Sequence, residues 1–161
     1  MRLAALLVAC AILLVGAFFT LSSSGSPTGA AVATSGGEKL IVTKIIDGDT
    51  IVVEGGEHVR LLGIDTDEKG QPCFAAAKQR LYDLVLNREV TLEREGDDRD
   101  MYDRLLRWIW LDDVNINQQM VAEGLAVARF DQKSKYQEKV AAVEHAAIVN
   151  KLGCKWANIT R

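Results

Sequence analysis

Three short stretches rich in β-branched residues follow one another closely in this chain, and tight turns separate them. They cover residues 40–46, 50–53 and 58–62, with Asp47-Gly48-Asp49 in the first turn and Glu54-Gly55-Gly56-Glu57 in the second. Glycine and aspartate favour turns, and stretches of this composition favour strands. The pattern predicts a three-stranded antiparallel meander, which needs further strands or helices to cover it.

The remaining elements are predicted by apolar periodicity. Gln71-Pro72 opens a helix, with apolar residues at helical spacing: Phe74, Ala77, Leu81, Leu84 and Val85. Residues 89–93 alternate as a half-buried strand, and residues 105–111 are apolar enough for a strand buried on both faces, with Trp108 and Trp110 in the core. Two further helices are expected, over 117–123 and through Tyr136, Val140, Val143 and Ala147.

This order of elements predicts a fold class. Three strands, a helix and two strands match the five-stranded oligonucleotide-binding (OB) barrel, an α+β arrangement here accompanied by three helices. The helix falls between the third and fourth strands, where that barrel places one.

The N-terminal part differs sharply from the rest. No Asp, Glu, Lys, Arg or His lies between Arg2 and Glu38, and residues 3–21 form an apolar run. Residues 1–21 are therefore predicted to be either a cleaved signal peptide or an uncleaved membrane anchor. Residues 22–37 are rich in Ser, Gly, Ala and Thr and predict a flexible linker. Both alternatives place the folded domain, residues 38–161, outside the cytoplasm.

Charge and cysteine content limit the function further. The chain has 19 Lys and Arg against 22 Asp and Glu, a net charge of −3. This excludes a polybasic protein that coats nucleic acid by charge alone. In an oxidising compartment Cys73 and Cys154 could form a disulfide, and two separate buried thiols are the alternative.

Acidic residues stand in two neighbouring loops of the expected barrel, at 47–49 and 65–68, and arginines at Arg60 and Arg104 flank them. Oxygen-rich clusters suit a hard cation, and converging carboxylates need a cation or an arginine to offset their repulsion. Turn chemistry and solvated surface charge are the simpler interpretation of each cluster taken alone. Arg60 and Asp65 share a site only if the strand bends between them, and Gly63 is the natural place.

Three motifs together resemble the thermonuclease (staphylococcal-nuclease-like) family. They are Asp47-Gly48-Asp49-Thr50, Arg60-Leu61-Leu62-Gly63-Ile64-Asp65-Thr66-x-Glu68 and Asp100-x-Tyr102-x-Arg104. Residues 117–126 and Trp156 also fit, so the resemblance covers nearly the whole folded part.

The resemblance implies Ca²⁺-dependent hydrolysis of phosphodiesters on an OB barrel. It implies that Asp49 and Asp65 bind Ca²⁺ through carboxylates and Thr66 through its carbonyl. Glu68 is then the general base for the attacking water. Arg60 and Arg104 are implied to hold the scissile phosphate, and Asp47 to support the metal ligands. Tyr102 is implied to contact the nucleotide, and Phe130 takes the place of a tyrosine that contacts the substrate.

The sequence departs from the family pattern at a few positions. Asp67 stands where proline is common, Asp103 replaces a glycine, and Phe130 replaces a tyrosine while keeping a stacking face. The connection from Glu68 to Pro72 holds only three residues, fewer than the long loop of the best-known family member. None of these changes removes an expected catalytic residue.

We therefore expect a monomeric Ca²⁺-dependent endonuclease that acts on DNA and RNA with little sequence specificity. If residues 1–21 are not cleaved, the protein also contacts a membrane. The alternatives are a non-catalytic OB module that binds nucleic acid or a partner, and a tethered Ca²⁺-binding module. Loss of Glu68 or an arginine would favour the non-catalytic OB module, and the sequence retains all of them.

Overall fold

The predicted meander is present in the structure. A computed structural model of the chain describes residues 37–157, and within them β1 (Glu38–Ile45), β2 (Thr50–Val53) and β3 (His58–Leu61) pair in antiparallel order. A single 3₁₀ turn, Glu54–Gly56, connects β2 to β3. The three strands agree with the sequence prediction to within two residues at each end.

Two later strands close the sheet into a barrel. β5 (Glu89–Arg99) pairs with β1, and β6 (Leu105–Leu111) pairs with β5, both antiparallel. β6 then pairs in parallel with β3, which joins the two edges. The closed five-stranded barrel with helices confirms the predicted fold class. β5 is six residues longer than predicted because its outer half continues in a hairpin with β6.

Three short strands lie outside the prediction. β4 (Ile64–Thr66) pairs with β8 (Ala126–Ala128) in a separate antiparallel pair, and β7 (Val114–Asn115) extends the edge of β6. The β4–β8 pair matters for the site, because it fixes the segment that follows β3 against the segment that precedes Phe130.

Within residues 37–157, four helices pack around the barrel. α1 (Phe74–Val85), α2 (Ile116–Ala122) and α3 (Gln137–Val149) correspond to the three predicted helices, and α4 (Gly153–Trp156) is one further turn. Asn117 fastens α2 to the barrel, since its Nδ2 donates to the Leu62 carbonyl at 2.9 Å and its Oδ1 accepts the Ile109 amide at 2.9 Å.

The core lies inside the barrel and beneath α1 and α2. Trp108 is fully buried there, as predicted. Trp110 is only half-buried, and β6 carries the buried Arg107, which donates to Asp98 at 2.8 Å. The prediction that β6 is buried on both faces is therefore wrong at Leu106, Trp110 and Leu111, which are half-buried.

Cys73 and Cys154 form a disulfide, with their Cα atoms 5.5 Å apart. Of the two alternatives open from the sequence, the structure has the bridged one. The predicted signal peptide or anchor, residues 1–21, and the linker before Gly37 lie outside the described residues. Within 37–157, no helix is both long and apolar enough to cross a membrane.

Candidate active site

Arg60 on β3 is the centre of the first cluster. Its Nη1 lies 2.9 Å from Asp49 Oδ2 and its Nη2 lies 3.0 Å from Asp65 Oδ1. Asp49 is in the loop that leads into β2, and Asp65 is on β4. The two acidic loops therefore converge as predicted, and a guanidinium group offsets their repulsion.

A bend at Gly63 brings Arg60 and Asp65 to the same side. Gly63 has a φ of +72°, a conformation that side chains other than glycine's disfavour. A Cβ at this position would also lie 2.5 Å from Trp108 Cη2 and 2.8 Å from Phe130 Cε1. The predicted bend is confirmed, and only glycine fits it without displacing neighbours.

Asp49 is the most buried carboxylate of the cluster, with 6% of its surface exposed. Its Oδ2 accepts the Thr66 amide at 2.8 Å and the Thr66 hydroxyl at 2.9 Å. Burial raises the pKa of Asp49, and Arg60 and the Thr66 hydrogen bonds lower it by less. The nearby charge of Asp47, which accepts the Asp49 amide at 3.1 Å, also raises this pKa. Additional positive charge here would stabilise the carboxylate.

Arg104, immediately before β6, is the centre of the second cluster. Asp100 Oδ2 accepts from its Nε at 2.8 Å and lies 2.7 Å from its Nη2, so one carboxylate fixes the guanidinium. Arg104 Nη1 also donates to the Thr50 hydroxyl at 3.3 Å, and that hydroxyl donates to Asp49. The ring of Tyr102 lies 5.4 Å from the Arg104 guanidinium carbon. The two arginine clusters are thus connected through Thr50.

Glu68 lies on the loop between β4 and α1, and its side chain is exposed to solvent. Gln71 shapes this loop from both directions. Its Oε1 accepts the Glu68 amide at 2.8 Å, and its own amide donates to the Glu68 carbonyl at 2.9 Å.

These groups share one cleft of about 500 Å³. The predicted site residues that line it are Asp47, Asp49, Arg60, Asp65, Glu68, Tyr102, Arg104 and Phe130. Thr66 is buried behind Asp49. The structure therefore brings the predicted residues together.

Arg129 is a cleft residue that the sequence prediction missed. It follows β8, and its Nη1 lies 3.3 Å from Asp65 Oδ2. Arg60 binds the other oxygen of the same carboxylate, Oδ1. Its position beside Phe130 is the only sequence signal, because the β4–β8 pairing that brings it to Asp65 joins residues at least 60 apart.

Two glutamates of β5 hold the segment that follows Phe130. The Trp110 and Trp108 indole N–H groups donate to Glu93 and Glu95, each at 2.7 Å. Lys135 forms an ion pair with Glu93, and its amide donates to Glu95 at 2.8 Å. Burial raises the pKa of Glu93, but hydrogen bonds from Lys135, Tyr136 and Trp110 outweigh it, so the pKa is lowered.

The cleft is acidic overall. Its lining includes eight carboxylates but only four cationic side chains, Arg60, Arg104, Arg129 and Lys133. A phosphodiester would be repelled by this excess unless a cation offset it.

The expected ligands fit a hard cation by their chemistry. Two carboxylates, Asp49 and Asp65, lie on either side of Arg60, next to the backbone of Thr66. Within residues 37–157, no three side chains of Asp, Glu, His or Cys lie close enough to hold a metal by themselves. Ca²⁺ accepts carbonyl and water oxygens beside carboxylates, so the set fits an ion that retains several waters.

Comparison with known proteins identifies the family of this chain. A family model described as "Staphylococcal nuclease homologue" matches residues 58–158. A thermonuclease of Staphylococcus hyicus is 29% identical over 152 residues, which cover 88% of this chain and 90% of that protein. A thermonuclease of Staphylococcus intermedius is 38% identical over 103 residues, 58% of this chain and 61% of that protein. The endonuclease YncB of Bacillus subtilis is 34% identical over 121 residues, 68% of this chain and 57% of that protein.

Proposed function

Because this chain belongs to the staphylococcal nuclease family, we propose that it is a Ca²⁺-dependent endonuclease that hydrolyses phosphodiester bonds in DNA and RNA. The resemblance identified from the sequence motifs is confirmed, and the names of the relatives support a phosphodiester-hydrolysing nuclease. One structural observation carries the finer proposal: two fixed arginines, two carboxylates and Glu68 line the same cleft.

Arg60 and Arg104 bind the scissile phosphate in this proposal. Each has its guanidinium held by a carboxylate, Arg60 by Asp49 and Asp65 and Arg104 by Asp100. Guanidinium groups that are already oriented stabilise developing negative charge without reorganising. Their planar geometry also allows two contacts with the oxygens of one phosphate.

Glu68 is the general base of the proposal. Its side chain is exposed in the cleft, where it can accept a proton from a water that attacks phosphorus. A general base acts within hydrogen-bond reach of that water. The role is supported by the position of Glu68 in the same cleft as Asp65 and both arginines.

Asp49 and Asp65 would hold Ca²⁺, together with the Thr66 carbonyl, and Asp47 would support Asp49 from behind. A bound Ca²⁺ supplies positive charge and Lewis acidity beside the phosphate. The acidic excess of the cleft makes this charge necessary for a polyanionic substrate.

Tyr102 and Phe130 contact the nucleotide. Tyr102 is 71% exposed, and aromatic faces stack on any base. Stacking of this kind gives little sequence specificity, in keeping with activity on both DNA and RNA. We further propose an extracytoplasmic location, supported only by the apolar run at residues 3–21.

The test is digestion of single-stranded DNA and of RNA by the full chain, in Ca²⁺ and in excess chelator. We expect cleavage in Ca²⁺ only, with products that end in 3′-phosphates. Arg104→Lys retains the charge but loses the planar contacts, so kcat should fall about 100-fold. Arg88→Lys, an exposed arginine just after α1, is the control and should leave kcat unchanged. Full activity in chelator, or in Arg104→Lys, would contradict the proposal.

A further inference from the structure

The loop that carries Glu68 is fastened to the C-terminal helix α4 at two points. Asp67 forms an ion pair with Lys155, and its other oxygen accepts the Cys73 amide at 2.8 Å. Cys73 in turn is bridged to Cys154, the neighbour of Lys155. An ion pair and a disulfide therefore connect the same two short segments, although more than 80 residues separate them in sequence.

These connections are shielded from solvent. The side chain of Asp67 is 12% exposed and that of Lys155 is 20% exposed, and Cys73 is 1% exposed. Removing one partner of a shielded ion pair leaves the other charge poorly solvated. The pair therefore constrains the loop more strongly than a surface ion pair would.

α4 is itself fixed to the body of the protein. The Lys155 amide donates to the Gly124 carbonyl at 3.1 Å, at the end of α2. The backbones are in close contact there, since a Cβ on Gly124 would lie 2.0 Å from the Leu152 carbonyl oxygen. A connection from the loop to α4 is thus a connection to a packed helix.

Glu68 lies directly between fixed neighbours. On one side, Asp65 and Thr66 are held by Arg60 and Asp49. On the other side, Gln71 closes the turn that follows. Asp67 immediately precedes Glu68 in the chain. Its carboxylate contacts therefore fix the backbone position from which the Glu68 side chain extends.

We propose that Asp67 and Lys155 are positioning residues that, with the Cys73–Cys154 disulfide, hold Glu68 in place for attack on the phosphodiester. This inference rests on the proposed function, in which Glu68 is the general base. A general base displaced by about 1 Å loses much of its effect on kcat, whereas substrate binding by the arginines is unaffected.

The test compares variants of the full chain that remove the ion pair. Lys155→Met retains the length of the side chain, and Asp67→Asn retains an oxygen acceptor for the Cys73 amide. We expect kcat to fall about tenfold or more in each with KM unchanged, and the double variant to lose little more than either. Lys155→Arg keeps the positive charge and should retain most of the wild-type kcat.

The matched control is Arg80→Met. It breaks the ion pair with Glu123, 2.7 Å long, that joins α1 to the end of α2. Amide hydrogen exchange over residues 66–72 is the second measurement. It should rise in Lys155→Met and Asp67→Asn and remain unchanged in Arg80→Met.

Two results would overturn the inference alone: an active wild-type chain with unchanged kcat in Lys155→Met, or an equal loss of kcat in Arg80→Met. A wild-type chain without nuclease activity in Ca²⁺ would overturn the proposed function, and this inference with it.

Discussion

Substituting alanine for Gly63 tests the bend on which the first arginine cluster depends. Gly63 lies between β3 and β4 with a φ of +72°. The bend lets Arg60 and Asp65 form an ion pair at 3.0 Å although they are five residues apart. A side chain at this position should disturb both the backbone and the packing.

The expected cost has two parts. Holding a residue other than glycine in the left-handed region costs about 1–2 kcal/mol. The new Cβ would also lie 2.5 Å from Trp108 Cη2, and Trp108 is fully buried. Overpacking of this kind costs about 1–3 kcal/mol more, so the unfolding free energy should fall by about 2–5 kcal/mol.

The control is Gly96→Ala in β5. Gly96 has the same φ of +72°, but its added Cβ would meet only Gln132 Oε1, at 3.5 Å. Gly96→Ala should therefore cost only the backbone part, about 1–2 kcal/mol. Urea denaturation followed by tryptophan fluorescence measures both variants. Equal losses in the two would refute the packing argument at Gly63.

Substitutions at a disulfide, at Glu93 and at Asp100 test three other contacts. Replacing Cys73 and Cys154 by alanine removes a link across 81 residues, so the unfolding free energy in urea should fall by about 4.5 kcal/mol. Hydrogen bonds outweigh burial and lower the pKa of Glu93 in the folded state. The ionised carboxylate therefore stabilises the fold fully at a pH above the usual pKa of a glutamate. This stabilisation is lost as the pH falls through the pKa of the folded state. The stability difference between wild type and Glu93→Gln should therefore shrink in an acid titration of unfolding. Asp100→Asn should lower kcat about tenfold on an oligonucleotide, since Arg104 loses its charged acceptor.

Each of these has a contradicting result. A double alanine variant that unfolds at the wild-type urea concentration would show that the disulfide does not stabilise the fold. A stability difference between wild type and Glu93→Gln that grows as the pH falls would contradict the lowered pKa of Glu93. An Asp100→Asn variant with wild-type kcat would show that the orientation of Arg104 does not depend on that carboxylate.

The barrel could be predicted from the sequence because its elements are locally encoded. β2 occupies residues 50–53 and β6 occupies residues 105–111, as predicted, since β-branched and aromatic runs end there at clear turn signals. The convergence of Asp49, Arg60 and Asp65 followed from strand order together with the bend at Gly63.

The parts that could not be predicted depend on pairing between distant segments. β4 and β8 have only three residues each, too few to show a periodicity of their own. Arg129 reaches Asp65 only through that pair. In the same way, Asp67 and Lys155 are 88 residues apart, and only the folded chain brings them together.

The most direct test of the proposed active site is the kcat of Glu68→Gln on single-stranded DNA in Ca²⁺. The control is Glu138→Gln, which makes the same change at an exposed position on α3. Loss of a general base predicts a fall in kcat of about 10²- to 10⁴-fold for Glu68→Gln and none for Glu138→Gln. Wild-type kcat in Glu68→Gln would contradict the assignment of the catalytic cleft.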